Sequence, residues 1–224
     1  MGKDFASIAT FVGSELNNTG KDAVGNGYSA ETIKVLDNTG TTQYVNVLAG
    51  SSANAVAQQF SNIAGITATA TTVAYSTATN SGDPENEGAG ASTNVEPNLP
   101  LKFAINGFNF EARATRSDDR LTELVNAVNN SSGNLSARIV GSGADAKLEI
   151  TETNGANLVF SGGADGQGSI TIGSSTRDSA TGEIIFNSTA ATQQIANLAN
   201  RSNDGVVVGG VVEFTLDENV ILSD

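Results

Sequence analysis

The chain has no cysteine, no histidine and no tryptophan. These absences exclude disulfides, thiolate nucleophiles, imidazole bases and the transition-metal sites built on them, and leave only carboxylates for any acid–base chemistry. Lack of cysteine does not by itself fix a compartment, because exported proteins can do without disulfides. No apolar run reaches the roughly 18 residues needed to span a bilayer as a helix. Nor does the N-terminus show the basic flank and apolar core of a cleaved signal peptide, so export would use another route. Positive charge is scarce as well: Lys and Arg number 11 against 24 Asp and Glu, a net charge of −13. A field of that sign repels phosphate backbones and anionic lipid, which argues against nucleic acid or membrane as partners and for a soluble monomer.

Gly, Ser, Thr, Asn and Ala dominate, a composition suited to short strands joined by turns. The first 25 residues are ambiguous. Phe5, Ile8, Phe11 and Val12 have roughly helical spacing, but turn formers follow, so a short helix and a docked extended strand both fit. Beyond them the pattern sharpens. Ile33 and Val35 alternate with polar neighbours, Asp37-Asn38-Thr39-Gly40 is a turn, and Val45 and Val47 resume the alternation, which predicts a hairpin. Ser51 or Ser52 then caps a helix carrying Val56, Phe60 and Ile63 on one face. Gly65 stops it, and Ile66, Ala68 and Ala70 alternate as a strand.

The same order returns. Leu101, Phe103 and Ile105 alternate into Asn106-Gly107, a turn pair that tolerates the positive φ of a type I′ hairpin, and Phe108, Phe110 and Ala112 alternate out. Ser117-Asp118-Asp119 opens a helix with Leu121, Leu124, Val125 and Val128 on one face, and "GNLSARIV" and "AKLEITE" supply strands. Val56, Phe60 and Ile63 answer Leu121, Val125 and Val128 at an offset of 65, whereas Ile66 and Ala68 answer Leu135 and Ala137 at 69, the shift expected from a four-residue insertion at "NNSSGN". Pro84, Pro97 and Pro100, the only prolines, fall in an acidic connector between the copies. After Phe160 the sequence predicts strands at "SITIG" and "GEIIFN" and a short helix at "TAATQQIANLAN" capped by Ser188 or Thr189. A final half-buried strand follows, with Val212, Phe214 and Leu216 opposite Glu213, Thr215 and Asp217.

"NGYSAETIKVLDNTGTTQYVNVLAGSSANAVAQQFSNIAGITATATT" resembles the flagellin hook IN motif of bacterial flagellins and of hook-associated and cap proteins, and "LKFAINGFNFEARATRSDDRLTELVNAVNNSSGNLSARI" resembles a second one. "GGVVEFTLDENVILS" is similar to the strand by which flagellin outer regions return toward the filament core. The long terminal helices that pack a filament core are missing, and the Met1-Gly2 start followed by polar sequence fits an expressed portion of a longer chain. The resemblance implies an α+β, strand-dominated fold with two ββαβ(β) IN-type repeats plus C-terminal antiparallel strands. It divides the chain into a first repeat with the N-terminal segment (1–80), a connector (81–100), a second repeat (101–162) and a returning β segment (163–224) packed on the N-terminal region. It further implies the exposed outer part of a flagellin in an extracellular flagellum, with flagellin subunits of the parent filament as partners and O-linked sugars on exposed Ser or Thr. A hook-associated or cap protein is the alternative.

Chemistry finds little footing. Asp165-Gly166 in "SGGADGQGSITI" reads as a tight turn in preference to a calcium loop, since such loops need stacked copies to complete a ligand shell. Asp118 and Asp119 suit a helix N-terminus, and Glu149 points away from Leu148 and Ile150 on a strand, so neither they nor Glu149 with Glu152 form a catalytic pair. Several N-x-S/T matches, among them Asn17, Asn129, Asn130, Asn134, Asn187 and Asn200, arise freely in an Asn- and Ser-rich chain. The expectation is a structural protein with no catalytic, cofactor-binding or metal residues. A surface adhesin or sugar-binding module is the rival, weakened because sugar platforms need aromatics and only Tyr28, Tyr44 and Tyr75 offer a tyrosine ring.

Overall fold

The computed structural model describes residues 26, 28–77, 101–113, 117–131, 133–142, 146–162, 169–173, 175–177, 184–186, 193–196 and 205–223. The architecture is α+β and strand-dominated. Expectations for the first 25 residues, the proline-bearing connector, and the Asn17, Asn187 and Asn200 sequons lie outside the described residues, as does the Asp165-Gly166 turn.

The first module begins with the predicted hairpin, β1 (Glu31–Leu36) and β2 (Thr42–Val47), paired antiparallel with Val35 opposite Gln43. Asp37 builds its turn. One carboxylate oxygen accepts the Thr39 hydroxyl at 2.6 Å and the Thr39 and Thr41 amides at 2.9 Å each, while the other accepts Gln43 Nε2 at 3.1 Å. These bonds, led by that from the Thr39 hydroxyl, hold the carboxyl below the ordinary aspartate range. Helix α1 (Ala53–Ser61) follows, its Ser52 cap accepting from the Ala55 amide. Ala53, Val56, Ala57 and Phe60 are buried in the first core, and Phe60 meets Phe214 edge-on with ring centroids 4.8 Å apart. Strand β3 then runs for 12 residues, Ile66–Thr77.

The second module repeats the order: β4 (Leu101–Ile105), β5 (Phe108–Ala112), α2 (Ser117–Asn129) and β6 (Leu135–Val140). Asn106 (φ 51) and Gly107 (φ 83) make the expected left-handed turn. Two further strands close each module in the same way. In the second, β7 (Lys147–Glu152) pairs with β6 and β8 (Leu158–Gly162) pairs with β4. In the first, β14 (Val211–Leu216) pairs with β3 and β15 (Ile221–Ser223) pairs with β1. Even the corner bonds recur, Asp217 N–H to Gly65 O at 2.9 Å and Thr153 N–H to Asn134 O at 3.1 Å. The two circuits differ in continuity. The second runs unbroken from β4 to β8, whereas the first is interrupted between β3 and β14, and the second lies in the interruption.

Three expectations need correction. First, the helix registers match at an offset of 68, with Ala53, Val56, Ala57 and Phe60 answering Leu121, Leu124, Val125 and Val128. Val125 is only partly buried, on the flank of a face centred on Leu121, Leu124 and Val128. The extra residues of α2, 13 long against 9 for α1, lie at its N-terminus and not at "NNSSGN". The last helical residue braces the next strand in both copies: Ser61 Oγ bonds both the N–H and the C=O of Ala68, and the Asn129 carboxamide bonds both those of Ala137. Second, Gln193–Ala196 is not helical but a strand, β12, paired with β9 (Ser169–Gly173), because an open sheet edge outweighs a weak helix propensity. Third, the matching alternation of Ile33 and Val35 would pair their strand with the apolar face of Val212, Phe214 and Leu216; instead that face is covered through β3 and α1, and the edge of β1 is taken by β15.

The remaining strands are β10 (Ser175–Arg177), β11 (Ile184–Phe186) and β13 (Gly205–Val208). β10 and β11 form a small hairpin, β13 extends the order β13-β8-β4-β5, and β9 and β12 extend the order β12-β9-β3-β7-β6. The core is correspondingly double. Ile33, Val35, Val56, Phe60, Val212 and Leu222 anchor one cluster, and Phe103, Ile105, Leu124, Leu148, Ile150 and Phe160 the other.

Candidate functional site: the junction between the modules

Strand β3 belongs to both modules. Ile66–Thr71 pairs with β14 in the first, and Thr72–Thr77 pairs with β7 in the second. At about 3.3 Å per residue it forms a continuous spar of roughly 40 Å, with the change of partner at its middle.

Around that point the modules are fastened by a belt of bonds. The β7–β8 loop of the second module reaches α1 of the first: Gly155 O accepts the Asn54 amide at 2.9 Å, and Asn154 O accepts Asn54 Nδ2 at 2.7 Å. Asn54 lies in the first turn of α1, so the second module satisfies one of the amides that a helix start leaves unpaired. Asn26 Nδ2 donates to Ser51 O at 2.7 Å and to Asn157 Oδ1 at 3.0 Å, and the Tyr28 hydroxyl donates to Gly210 O at 2.9 Å. Asn26 and Tyr28 are buried. Glycine is required at the closest approach. Gly155 has φ +76, and an added methyl would strike Ala70. Thr72, fully buried, has a hydroxyl with no hydrogen-bond partner among the described residues.

Of the carboxylates singled out from sequence, Asp118 and Asp119 lie at the start of α2 as expected. Glu149 and Glu152 occupy opposite faces of β7 and are not brought together. Glu149 is buried, which its alternation on the strand did not suggest. It stands in cross-strand register between Tyr75 and Arg138, accepting the Tyr75 hydroxyl at 2.8 Å and a two-pronged contact from Arg138 Nε and Nη2. Burial first, and then the bond to Glu149, push the Tyr75 phenol well above its ordinary range. Glu152 accepts the amides of Asn154 and Ala156 and thereby shapes the junction loop. These are structural pairings on sheet faces, and no group of three or more His, Cys, Asp or Glu suited to a metal occurs among the described residues.

Sequence reasoning did not anticipate the junction. Its signals were present as the Asn154-Gly155 and Gly209-Gly210 pairs, but a turn dipeptide does not reveal what packs against it.

No family model matches the chain, and no curated protein matches it. Among solved structures it is similar to the D2-D3 domains of the flagellar cap protein FliD from Escherichia coli, with 14% identity, a TM-score of 0.25, and coverage of 96% of this chain and 99% of that one. The D2-D3 domains of the Serratia marcescens protein give 14% identity and a TM-score of 0.26, covering 88% and 94%. Against the D1-D2-D3 domains from Escherichia coli the identity is 11% and the TM-score 0.24; the match covers 69% of this chain and about half, 53%, of that one. Scores of this size do not establish a common fold.

Proposed function

We propose that the chain is the outer, surface-exposed portion of a flagellar structural subunit, a flagellin by the resemblance of its two IN-type units and return strand. Its work is mechanical and interfacial: it holds a two-module projection away from an assembly core and sets the charge of the surface. The observation that carries this reading is the pairing of the first described strand with the last. Lys34 lies opposite Ser223 and Val35 opposite Leu222, so the polypeptide enters and leaves at one place, as a portion inserted into a larger subunit must. The division into 1–80, 81–100, 101–162 and 163–224 belongs to this reading, as do flagellin neighbours and an extracellular location. A hook-associated or cap protein, which shares the IN motif and is the class of the FliD structures above, is the second reading. Neither assigns the chain a reaction.

Immunogold labelling separates the alternatives. Antibody raised against this chain should decorate filaments of the source bacterium along their length if it is flagellin, and only the tip or the hook junction if it is a cap or hook-associated protein. Labelling of the cell surface with bare flagella would overturn both readings in favour of the adhesin.

A further inference from the structure

The chain contains three Asn-Gly pairs: Asn26-Gly27, Asn106-Gly107 and Asn154-Gly155. At such a pair the glycine nitrogen, with no side chain to hinder it, attacks the asparagine side-chain carbonyl carbon. A C–N bond forms to close a succinimide, the bond to the carboxamide nitrogen breaks, and ammonia leaves. Water then opens the ring at one carbonyl or the other, giving aspartate or isoaspartate, so that an amide is exchanged for a carboxylate with no other co-reactant.

The three asparagines are held very differently. The Asn26 side chain is buried, with Oδ1 accepting the Tyr28 amide at 3.1 Å and Nδ2 donating twice. Asn106 is exposed but clamped to β8: Oδ1 accepts the Val159 amide at 2.8 Å, and the Asn106 amide donates to Val159 O at 2.9 Å. Asn154 is exposed, and its carboxamide makes no hydrogen bond among the described residues. Its backbone carbonyl accepts Asn54 Nδ2 at 2.7 Å, which draws electron density toward oxygen and eases loss of the proton from the adjoining Gly155 nitrogen. Among the described residues that nitrogen is engaged only by a 3.4 Å contact to Glu152 O, at the long limit for a hydrogen bond.

We propose that Asn154 is the site of spontaneous deamidation in this chain, and that conversion to isoaspartate there unfastens the two modules. Isoaspartate routes the backbone through the side chain and inserts an extra carbon between residues 154 and 155. Gly155 sits against Ala70 with no slack, and its carbonyl caps α1, so the displacement removes the bond from the second module to the Asn54 amide.

The test is to age the intact chain in warm, mildly alkaline buffer. Converted residues are mapped by peptide mass spectrometry and by methyl uptake from an isoaspartyl methyltransferase, and hydrogen exchange is followed at the start of α1. Conversion at Asn154 should exceed that at Asn106 and at Asn26 several-fold. Exchange at the Asn54 amide should accelerate in the aged protein, and Asn154→Gln, whose longer side chain closes the ring far more slowly, should prevent both changes. The proposal is overturned by earlier conversion at either other pair, or by an intact Asn154 over the time that consumes an unstructured peptide of the same local sequence. It also fails if the aged Asn154→Gln protein loses protection at the same rate.

Discussion

Replacing Gly155 with alanine tests the junction directly. Two penalties apply. The residue has φ +76, where an L side chain costs about 1–2 kcal/mol. The new methyl must also fit against the Ala70 side chain, with the Ala70 carbonyl carbon at 2.9 Å and Cα at 3.1 Å. Ala70 is held in mid-strand opposite Val212 and cannot retreat without pulling β3 from β14, so overpacking adds about 1–3 kcal/mol. Gly107→Ala is the control, because Gly107 has φ +83 but nothing within 4 Å of an added methyl. Both variants incur the conformational penalty and both gain the same stiffening of the unfolded chain, about 0.4–1 kcal/mol, so their difference isolates the contact. In urea unfolding followed by far-UV circular dichroism, Gly155→Ala should be less stable than Gly107→Ala by about 1–3 kcal/mol. It alone should speed exchange at the Asn54 amide. Equal losses, or unchanged protection of Asn54, would refute the view that the β7–β8 loop is locked between the modules.

Phe60→Ala should cost about 3–5 kcal/mol by emptying the centre of the first core, whereas Val125→Ala, on the partly buried flank of α2, should cost markedly less; equal effects in the same assay would restore the alignment of these two positions. The folded-state pKa of Tyr75 lies above its unfolded value near 10, so its contribution is fully present below that pH and is lost as pH rises toward the folded value. Stability measured up the alkaline range should therefore fall above about pH 10 in the parent, and fall less steeply in Tyr75→Phe. Thr72→Val replaces a buried hydroxyl that lacks a partner with a methyl of the same shape and should raise stability by about 1 kcal/mol; a loss of that size would reveal a bond to the hydroxyl.

Much of the local structure was legible because each element was specified by neighbours a few residues away. The alternation of Ile33 and Val35, the Asn106-Gly107 turn and the Ser52 cap depend on chain stereochemistry and apolar period alone, and each appears where expected. The repeat was legible for the same reason, although its helix register was misaligned: Phe60 and Val125 are both apolar on amphipathic helices, and only the packing shows which positions lie at the centre of the face. The strand at Gln193–Ala196 was missed because its conformation comes from β9, a partner that local propensity does not register.

The sequence by itself determined that the chain would be an acidic, strand-rich protein without thiol or imidazole chemistry, built on a ββαβ pattern used twice with an apolar return strand. These properties follow from composition and short-range periodicity. The tertiary structure alone decided how the two patterns are joined. Nothing local marks Val212 for β3 rather than β1, or tells Asn54 that its amide will meet Gly155 from a loop about 100 residues away. Those pairings are settled by long-range competition, since buried backbone amides and carbonyls must find partners, and closing one module around another supplies them at the junction.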